Sequence, residues 1–234
     1  MTDEERAALD AAVARHWVPA AGPRVAMPPP AEVWAGRVPD ALLHLWAAHG
    51  LASFASGRLR LIDPDLLAPV IAFAVRGDPD LDGDTWPIAL GRFGQVVVWS
   101  ERHGAGFWEP RMPSLEMPWL GRPPARPAAQ IIEMVVALPP VAVDWLDAEG
   151  RSILPALETI LPEPAWHEIW GATPVPVPLE DVPPEDFVPA PAADWLEALH
   201  AEASTMLVDW NQPDTPELRL VGDPWPAGAQ RRMP

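Results

Sequence analysis

The sequence contains no cysteine, no lysine and no tyrosine among its 234 residues. Without cysteine it can form neither disulfides nor thiolate metal sites. Covalent catalysis by a thiolate or a lysine Schiff base is excluded for the same reason. No apolar run reaches the roughly 20 residues that a membrane-spanning helix needs, and no basic-then-apolar leader opens the chain. We therefore expect a cytoplasmic protein that does not bind membranes.

Positive charge is also scarce, and it is unevenly distributed. The net charge is −17. Residues 1–125 contain 15 acidic residues against 11 arginines, whereas residues 126–234 contain 18 against 5. Such a field repels phosphate backbones and attracts basic partners over about 8 Å at physiological salt. We expect no nucleic-acid binding and a basic protein partner, although the acidity also fits a role in solubility alone.

The first 75 residues predict three helices and a strand. A capping box at Thr2-Asp-Glu-Glu5 begins the first helix, and Pro39 and Gly50 bracket the second. A strand with period-two alternation at 58–62 precedes the start of a third helix at Asp63-Pro64. The residues predicted to face inward are Leu9, Val13, Trp17, Leu42, Leu43, Trp46, Leu67, Val70, Ile71 and Ala74.

The rest of the chain predicts a hairpin and further helices. Alternating segments at 86–90 and 95–99 flank the turn Gly91-Arg-Phe-Gly94, which is typical of an antiparallel hairpin. The other expected elements are a strand at 106–110, helices at 128–138, 141–161 (broken near Gly150) and 194–200, and an extended segment at 169–173. Helices mixed with an antiparallel sheet, without alternating strand–helix units, predict an α+β fold with helices packed on the sheet.

Proline marks the expected boundaries of the chain, which holds 33 prolines. The run Pro123–Pro127 predicts a first domain at residues 1–125 and a second, helix-rich domain at 126–222. Residues 223–234, which contain Arg231-Arg232 between prolines and glycine, are expected to form a flexible tail. The sequence leaves open whether the two domains fold as one unit.

Spaced residues of the N-terminal part occur in a recognisable order. A helix between Val38-Pro39 and Gly50 is followed by a strand and by the helix start Ile62-Asp63-Pro64-Asp65. This order resembles the opening block of the GAD-like domain, which forms the N-terminal part of immunity proteins against DNase effectors of type VI secretion systems. The residues that carry the resemblance are Val38, Pro39, Leu42, Leu43, Trp46, Gly50, Phe54, Gly57, Asp63, Pro64, Asp65, Pro87, Gly94 and Trp99.

The C-terminal part has a looser likeness to the same proteins. His167-Glu-Ile-Trp-Gly171, Pro174 and a helix containing His200 are similar to the segments that follow the GAD-like domain in those immunity proteins. Two features depart from the pattern: Trp170 stands where tyrosine is usual, and Pro176–Glu180 replaces a glycine pair. We interpret these departures as divergence toward a different toxin.

The resemblance implies a protein without catalysis, cofactor or metal, which neutralises a cognate nuclease toxin by one-to-one binding. A nuclease must present a basic surface to phosphates, and an acidic segment can occupy that surface and steer the encounter. The residues expected to contact the toxin are Glu180, Asp181, Glu185 and Asp186, with Glu163 and Glu168 as secondary candidates.

Two other functions stay open. Asp78-Pro-Asp-Leu-Asp-Gly83 begins like a calcium loop, with carboxylates at alternate positions, and would suit a metal-dependent hydrolase. Ala89 stands where that loop needs a bidentate glutamate, so an acidic turn without metal is favoured. His44 and His49 lie about 140° apart on a helix and share no ligating face. The second alternative is a general acidic interaction scaffold of the same fold without a toxin partner.

Overall fold

The structure, a computed structural model, describes residues 1–17, 29–173, 182–202, 204–210 and 216–222. Within these ranges the strands are β1 (Ser53–Phe54), β2 (Leu59–Leu61), β3 (Thr85–Gly91), β4 (Val96–Ser100), β5 (Gly104–Glu109), β6 (Ser114–Met117), β7 (Glu168–Ala172), β8 (Phe187–Pro191), β9 (Met206–Asp209) and β10 (Glu217–Leu220). The α-helices are α1 (Asp3–His16), α2 (Ala31–Trp34), α3 (Asp40–His49), α4 (Ala68–Ala74), α5 (Pro127–Ile131), α6 (Leu154–Ile160) and α7 (Ala192–Glu202). None of these described helices is long and apolar enough to cross a bilayer.

The main sheet has eight strands in the spatial order β1-β2-β3-β4-β5-β6-β9-β10. All neighbouring strands are antiparallel except β6 and β9, which are parallel and pair from Ser114↔Met206 to Met117↔Asp209. Strands β7 and β8 form a separate antiparallel ribbon. The α+β prediction is therefore confirmed. The sequence patterns did not predict β1, β6, β8, β9 or β10.

Alternate side chains of the sheet enter two cores, one on each face. On the first face, the row Leu61, Ala89 and Val97 packs in a core shared with α1, α3 and α5. On the second face, the neighbouring row contains Leu90 and Val96, and its core is shared with α4 and α7. The sheet is thus a middle layer with helices on both sides.

The first helix begins as predicted, but its buried apolar stripe is shorter than predicted. The backbone N–H of Glu5 donates to Thr2 Oγ1 (3.2 Å), and that of Thr2 donates to Glu5 Oε2 (2.8 Å), which confirms the capping box. Leu9 and Val13 are buried. Trp17 follows the helix, is 38% exposed and contacts the His49 ring, so the buried stripe ends one turn earlier.

The helix α3 also follows the prediction with one change. Gly50 ends it with a φ of 66°, a conformation that glycine adopts without strain. Leu42 and Trp46 are buried as predicted, but Leu45 completes the buried face and Leu43 is only partly buried. Pro39 precedes the helix as its cap residue instead of occupying the first turn.

The central hairpin and α4 are confirmed. Asp63 Oδ1 accepts a hydrogen bond from the backbone N–H of Asp65 (3.1 Å), and a short 3₁₀ turn leads into α4. The predicted inward residues Leu67, Val70, Ile71 and Ala74 are buried. Strands β3 and β4 pair around the predicted turn.

Residues 127–161 depart most from the predicted helices. After α5 the chain continues as one π-helical turn at Ile132–Val136, and the predicted helix at 141–161 is replaced by a 3₁₀ turn at Pro140–Val143 and the short α6. Asp144 explains the interruption, because its backbone is extended while its carboxylate binds the backbone N–H of Trp145 (2.9 Å) and the Arg58 guanidinium.

Residues from both sides of Pro123–Pro127 share the same sheet and the same core. Strands β9 and β10 extend the sheet that the N-terminal strands begin, and α5 packs against α1 and α3. The boundary at residue 125 stays a prediction, and the structure shows that the sheet runs across it. The expected tail at 223–234 lies outside the described residues.

Candidate partner-binding surface

The four described residues of the six predicted to contact a partner lie in or beside the β7–β8 ribbon. Its register runs from Glu168↔Pro191 to Ala172↔Phe187. The ribbon is joined to the main sheet at the β3–β4 turn, where the backbone N–H of Trp170 donates to the Arg92 carbonyl (2.9 Å). Four buried aromatic rings pack together at this junction, and three of their four contacts are edge to face; they are Phe93, Trp145, Trp170 and Phe187.

A glycine lets α7 lie directly against the ribbon. A Cβ atom on Gly171 would stand 2.6 Å from Trp195 Cδ1, which is too close for any side chain. Trp195 Nε1 donates to the carbonyl of Ala172 (3.1 Å), so the indole is fixed across the strand. The segment 167–171 singled out from the sequence thus has a structural role in seating α7.

The structure places the six predicted contact residues in two groups. Glu185 and Asp186 are exposed in a 3₁₀ turn just before β8, where the backbone N–H of Thr173 donates to the Asp186 carbonyl (2.8 Å). Glu163 and Glu168 lie at the other end of the ribbon, about 13 Å away at roughly 3.3 Å per strand residue. Glu180 and Asp181 lie outside the described residues.

Glu163 is bound within the chain. It accepts from Arg92 Nη2 (3.0 Å), and Glu158 accepts from Nη1 of the same guanidinium (3.4 Å). Arg92 also lies over the Trp170 ring, 5.2 Å from its centroid. Glu163 remains 54% exposed. Its carboxylate is therefore accessible to a partner, although Arg92 already offsets part of its charge.

Glu168 also has internal partners. Its carboxylate accepts from the backbone N–H of Ala165 (2.9 Å), and its carbonyl accepts from the Arg60 guanidinium. Burial lowers the pKa of Arg60 to about 10, and the charge of Arg92 adds to that shift while Glu163 and Glu168 oppose it. This end of the ribbon is therefore a structural joint between the ribbon and β2.

A strained turn belongs to the same joint. Ala55 and Ser56 have φ values of 49° and 57°, the left-handed region that costs a non-glycine residue on the order of 1 kcal/mol. The Arg92 Nε–H donates to the Gly57 carbonyl (2.8 Å) and holds the turn from one side. Arg92 therefore links this turn to the two glutamates that it binds.

Two arginines of the N-terminal part, Arg58 and Arg111, bind Asp144 of the C-terminal part. Arg58 binds Asp144 (3.1 Å), with side chains 18% and 5% exposed. Arg111 binds Glu109 through two bonds (2.8 and 2.6 Å) and donates to the Asp144 carbonyl (3.3 Å). Counting charges along the sequence missed the Arg58–Asp144 pair, because its two partners are 86 residues apart.

The aspartate loop is engaged in the same way. Arg219 on β10 binds both carboxylate oxygens of Asp78, and its Nη2 also binds Asp80 Oδ2 (2.9 Å). Burial opposes ionisation of Asp78, but Arg219 and the N–H groups of Gly222 and Asp80 hold the pKa of its carboxyl below the ordinary value.

The other two aspartates of this loop bind backbone and side-chain donors. Asp82 accepts from the backbone N–H of Gly77 (2.9 Å), and Asp84 accepts from Ser100 and Arg102. The carboxylates that a calcium ion would need are thus already bound to a guanidinium or to N–H groups. Among the described residues, no cluster of three or more His, Asp or Glu side chains is arranged to hold a metal.

A second set of carboxylates is exposed and has no ion pair with any described residue. It comprises Glu185 and Asp186 before β8, and Asp194 and Glu197 on the outer side of α7. The helix and the ribbon are neighbours, since the backbone N–H of Ala192 donates to the carbonyl of His167 (3.0 Å). Asp194 and Glu197 were not predicted; their i, i+3 spacing on a helix was the signal. We call these four residues the free acidic set.

Comparison with known proteins supports the fold and the domain resemblance. Residues 16–107 match the family model described as GAD-like domain, which confirms the predicted resemblance for this part of the chain. The crystal structure of Atu4351 from Agrobacterium tumefaciens superposes with a TM-score of 0.80 and 19% sequence identity, covering 92% of this chain and 98% of that one. At this identity the similarity shows a shared fold. No curated protein matches the chain.

Proposed function

We propose that this protein is a cytoplasmic immunity protein that binds and neutralises a basic nuclease toxin delivered by a type VI secretion system. The GAD-like match at residues 16–107 supports the proposal, since that family includes immunity proteins. In this proposal the protein performs no catalysis and needs no cofactor. It acts by covering the basic surface with which the toxin holds nucleic acid.

The observation that carries the proposal is the free acidic set. Several other carboxylates are paired with buried or half-buried arginines, as at Arg58, Arg92 and Arg219. Glu185, Asp186, Asp194 and Glu197 are left facing solvent without such a partner among the described residues. Exposed charge of one sign raises the rate of encounter with an oppositely charged surface.

A nuclease supplies that opposite charge, because it must hold phosphates with lysine or arginine. A protein that covers those residues competes directly with nucleic acid for the same contacts. Protection against a toxin that kills at few copies needs a dissociation constant of about 1 nM or lower, equivalent to roughly −12 kcal/mol. Charge alone does not supply this affinity, so steering must be combined with a packed contact.

The test is co-expression with the product of the adjacent open reading frame, followed by measurement of growth and of binding to any nuclease domain that it contains. We expect wild-type protein to restore growth. The double variant Glu185→Lys/Asp186→Lys should lower the association rate about tenfold at low salt and much less at high salt, because screening removes the steering. The matched control is Glu32→Lys/Glu101→Lys, which reverses two exposed carboxylates of the N-terminal part.

Two results would contradict the proposal. One is an adjacent effector without nuclease activity, which would favour the interaction scaffold without a toxin. The other is a nuclease domain that kills equally well with and without this protein. Equal effects of the test and control pairs would reject the free acidic set as the steering surface.

A further inference from the structure

One side of the β9–β10 hairpin is apolar and open. The register aligns Leu218 with Val208 and Leu220 with Met206 on the first face of the sheet, and alternation puts Trp210 on the same side. Leu218 is 52% exposed, and Leu220 and Trp210 are each 40% exposed. Val208 is 8% exposed and Met206 is partly buried, so we give the name open face to Leu218, Leu220 and Trp210 alone. Neighbouring exposed apolar side chains are a feature of interaction surfaces.

The described helices on the first face do not extend over this hairpin. α1, α3 and α5 share their core with β2, β3 and β4 side chains, and α5 reaches as far as β5. Strands β6, β9 and β10 continue the same sheet beyond that point. The open face is therefore the part of the first face that the described helices leave uncovered.

The hairpin is held to the protein from its other side. Leu207 is fully buried in the second-face core, and Arg219 is 2% exposed between Asp78 and Asp80. Side chains of the second face thus suffice to seat the hairpin. Leu218 and Leu220 contribute little to that attachment and present their surface outward.

The charge around the open face identifies the kind of partner. Glu116 lies in the same row as Val208 and Leu218, and it forms no ion pair with a described residue. A second copy of this chain would bring its own net charge of −17 and its own Glu116 toward this surface. A basic protein with an apolar anchor avoids that repulsion and gives Glu116 a counter-ion.

We propose that the open face is the docking surface for the apolar anchor of the basic partner, with Leu218 at its centre. This inference rests on the proposed function and adds a division of roles to it. The free acidic set raises the rate of association, and the open face slows dissociation, because desolvated apolar anchors near the centre of an interface carry most of the binding energy.

The experiment uses the full-length protein and a catalytically inactive nuclease domain of the adjacent effector, with both rate constants measured by surface plasmon resonance. Leu218→Arg should raise the dissociation rate at least about tenfold. Leu218→Ala should raise it less. The matched control is Ile160→Arg on α6, where isoleucine is 57% exposed and far along the chain from the hairpin; it should leave both rate constants within about twofold. Thermal unfolding of each variant checks that the fold is kept.

The possible outcomes separate the two proposals. If wild-type protein binds the nuclease domain and Leu218→Arg binds it equally well, the docking surface is wrong and the proposed function stands. If wild-type protein does not bind the domain, both fail. Sedimentation velocity supplies a third outcome: a wild-type dimer that Leu218→Arg converts to a monomer would assign the open face to a second copy and overturn the inference.

Discussion

Replacing Arg219 by methionine tests whether the buried ion cluster holds the C-terminal hairpin to the N-terminal part. The side chains of Arg219 and Asp78 are 2% and 0% exposed, and that of Asp80 is 12% exposed. Methionine keeps much of the volume of arginine and removes its charge. Two carboxylates would then remain together in a buried site without their cation.

The expected cost follows from that burial. Removing one partner of a buried ion pair destabilises a protein by about 3–5 kcal/mol, because the other charge is left uncompensated. For a protein of this size each kcal/mol lowers the thermal midpoint by about 2–4 °C, so we expect a decrease of roughly 10 °C. The cost should shrink below about pH 4, where the ionised carboxylates take up protons. The wild-type pKa of Asp78 is lowered, so the stabilisation by Arg219 is present above the unfolded pKa and is lost as the pH falls through the folded one.

The assay is urea and thermal unfolding of Arg219→Met at pH 7 and at low pH, with hydrogen exchange of residues 206–220 as a local readout. The matched control is Arg151→Met, which removes a cation that binds Asp147 and Glu149 at the surface and is 72% exposed. Such exposed pairs contribute little. The reasoning is refuted if Arg219→Met is no less stable than Arg151→Met, or if its exchange rates at 206–220 match those of the wild type.

Two further predictions concern the packing around the sheet. His103 is buried as the neutral ring, since its Nδ1 accepts from the Gly121 N–H (3.0 Å) and its Nε2 donates to the Asp80 carbonyl (3.1 Å); burial and the charge of Arg102 lower its pKa. The stabilising effect of the neutral ring is present above the unfolded pKa of about 6.5 and is lost as the pH falls through the lowered folded pKa. The free energy of unfolding should therefore decrease in mild acid, and it should decrease less steeply in His103→Gln. Equal slopes in the two proteins would contradict this. Gly171→Ala should destabilise by about 1–3 kcal/mol in urea unfolding, because the new methyl group overlaps the Trp195 indole; an unchanged urea midpoint would show that the indole can move aside.

Local patterns predicted the elements whose signals lie within a few residues. The capping box at Thr2–Glu5, the terminator Gly50 and the β3–β4 hairpin all depend on neighbouring residues, and each was confirmed. The parallel pair β6–β9 joins Ser114 to Met206, and no local pattern reports a partner so far away along the chain. The short strands at 206–209 and 217–220 can be identified only from their pairing in the sheet next to β6.

The same limit explains what could be predicted of the candidate surface. Acidic surplus in the C-terminal part was visible in the sequence. Glu185 and Asp186 are exposed in the structure, and their contact with a partner stays a prediction. The role of Glu163 was not visible, because it depends on Arg92, which is 71 residues away. Asp194 and Glu197 were not selected, although the helix and their i, i+3 spacing on it were visible in the sequence.

The distribution of guanidinium groups decides what each carboxylate can do. Where the fold supplies an arginine, as for Asp144, Glu163 and Asp78, the carboxylate stabilises the joint between distant segments and offers a partner only part of its charge. The carboxylates available for recognition are therefore those without such an arginine, and those before β8 and on α7 are Glu185, Asp186, Asp194 and Glu197. A basic partner has to match that restricted pattern, which makes the position of the free acidic set a source of specificity as well as of speed.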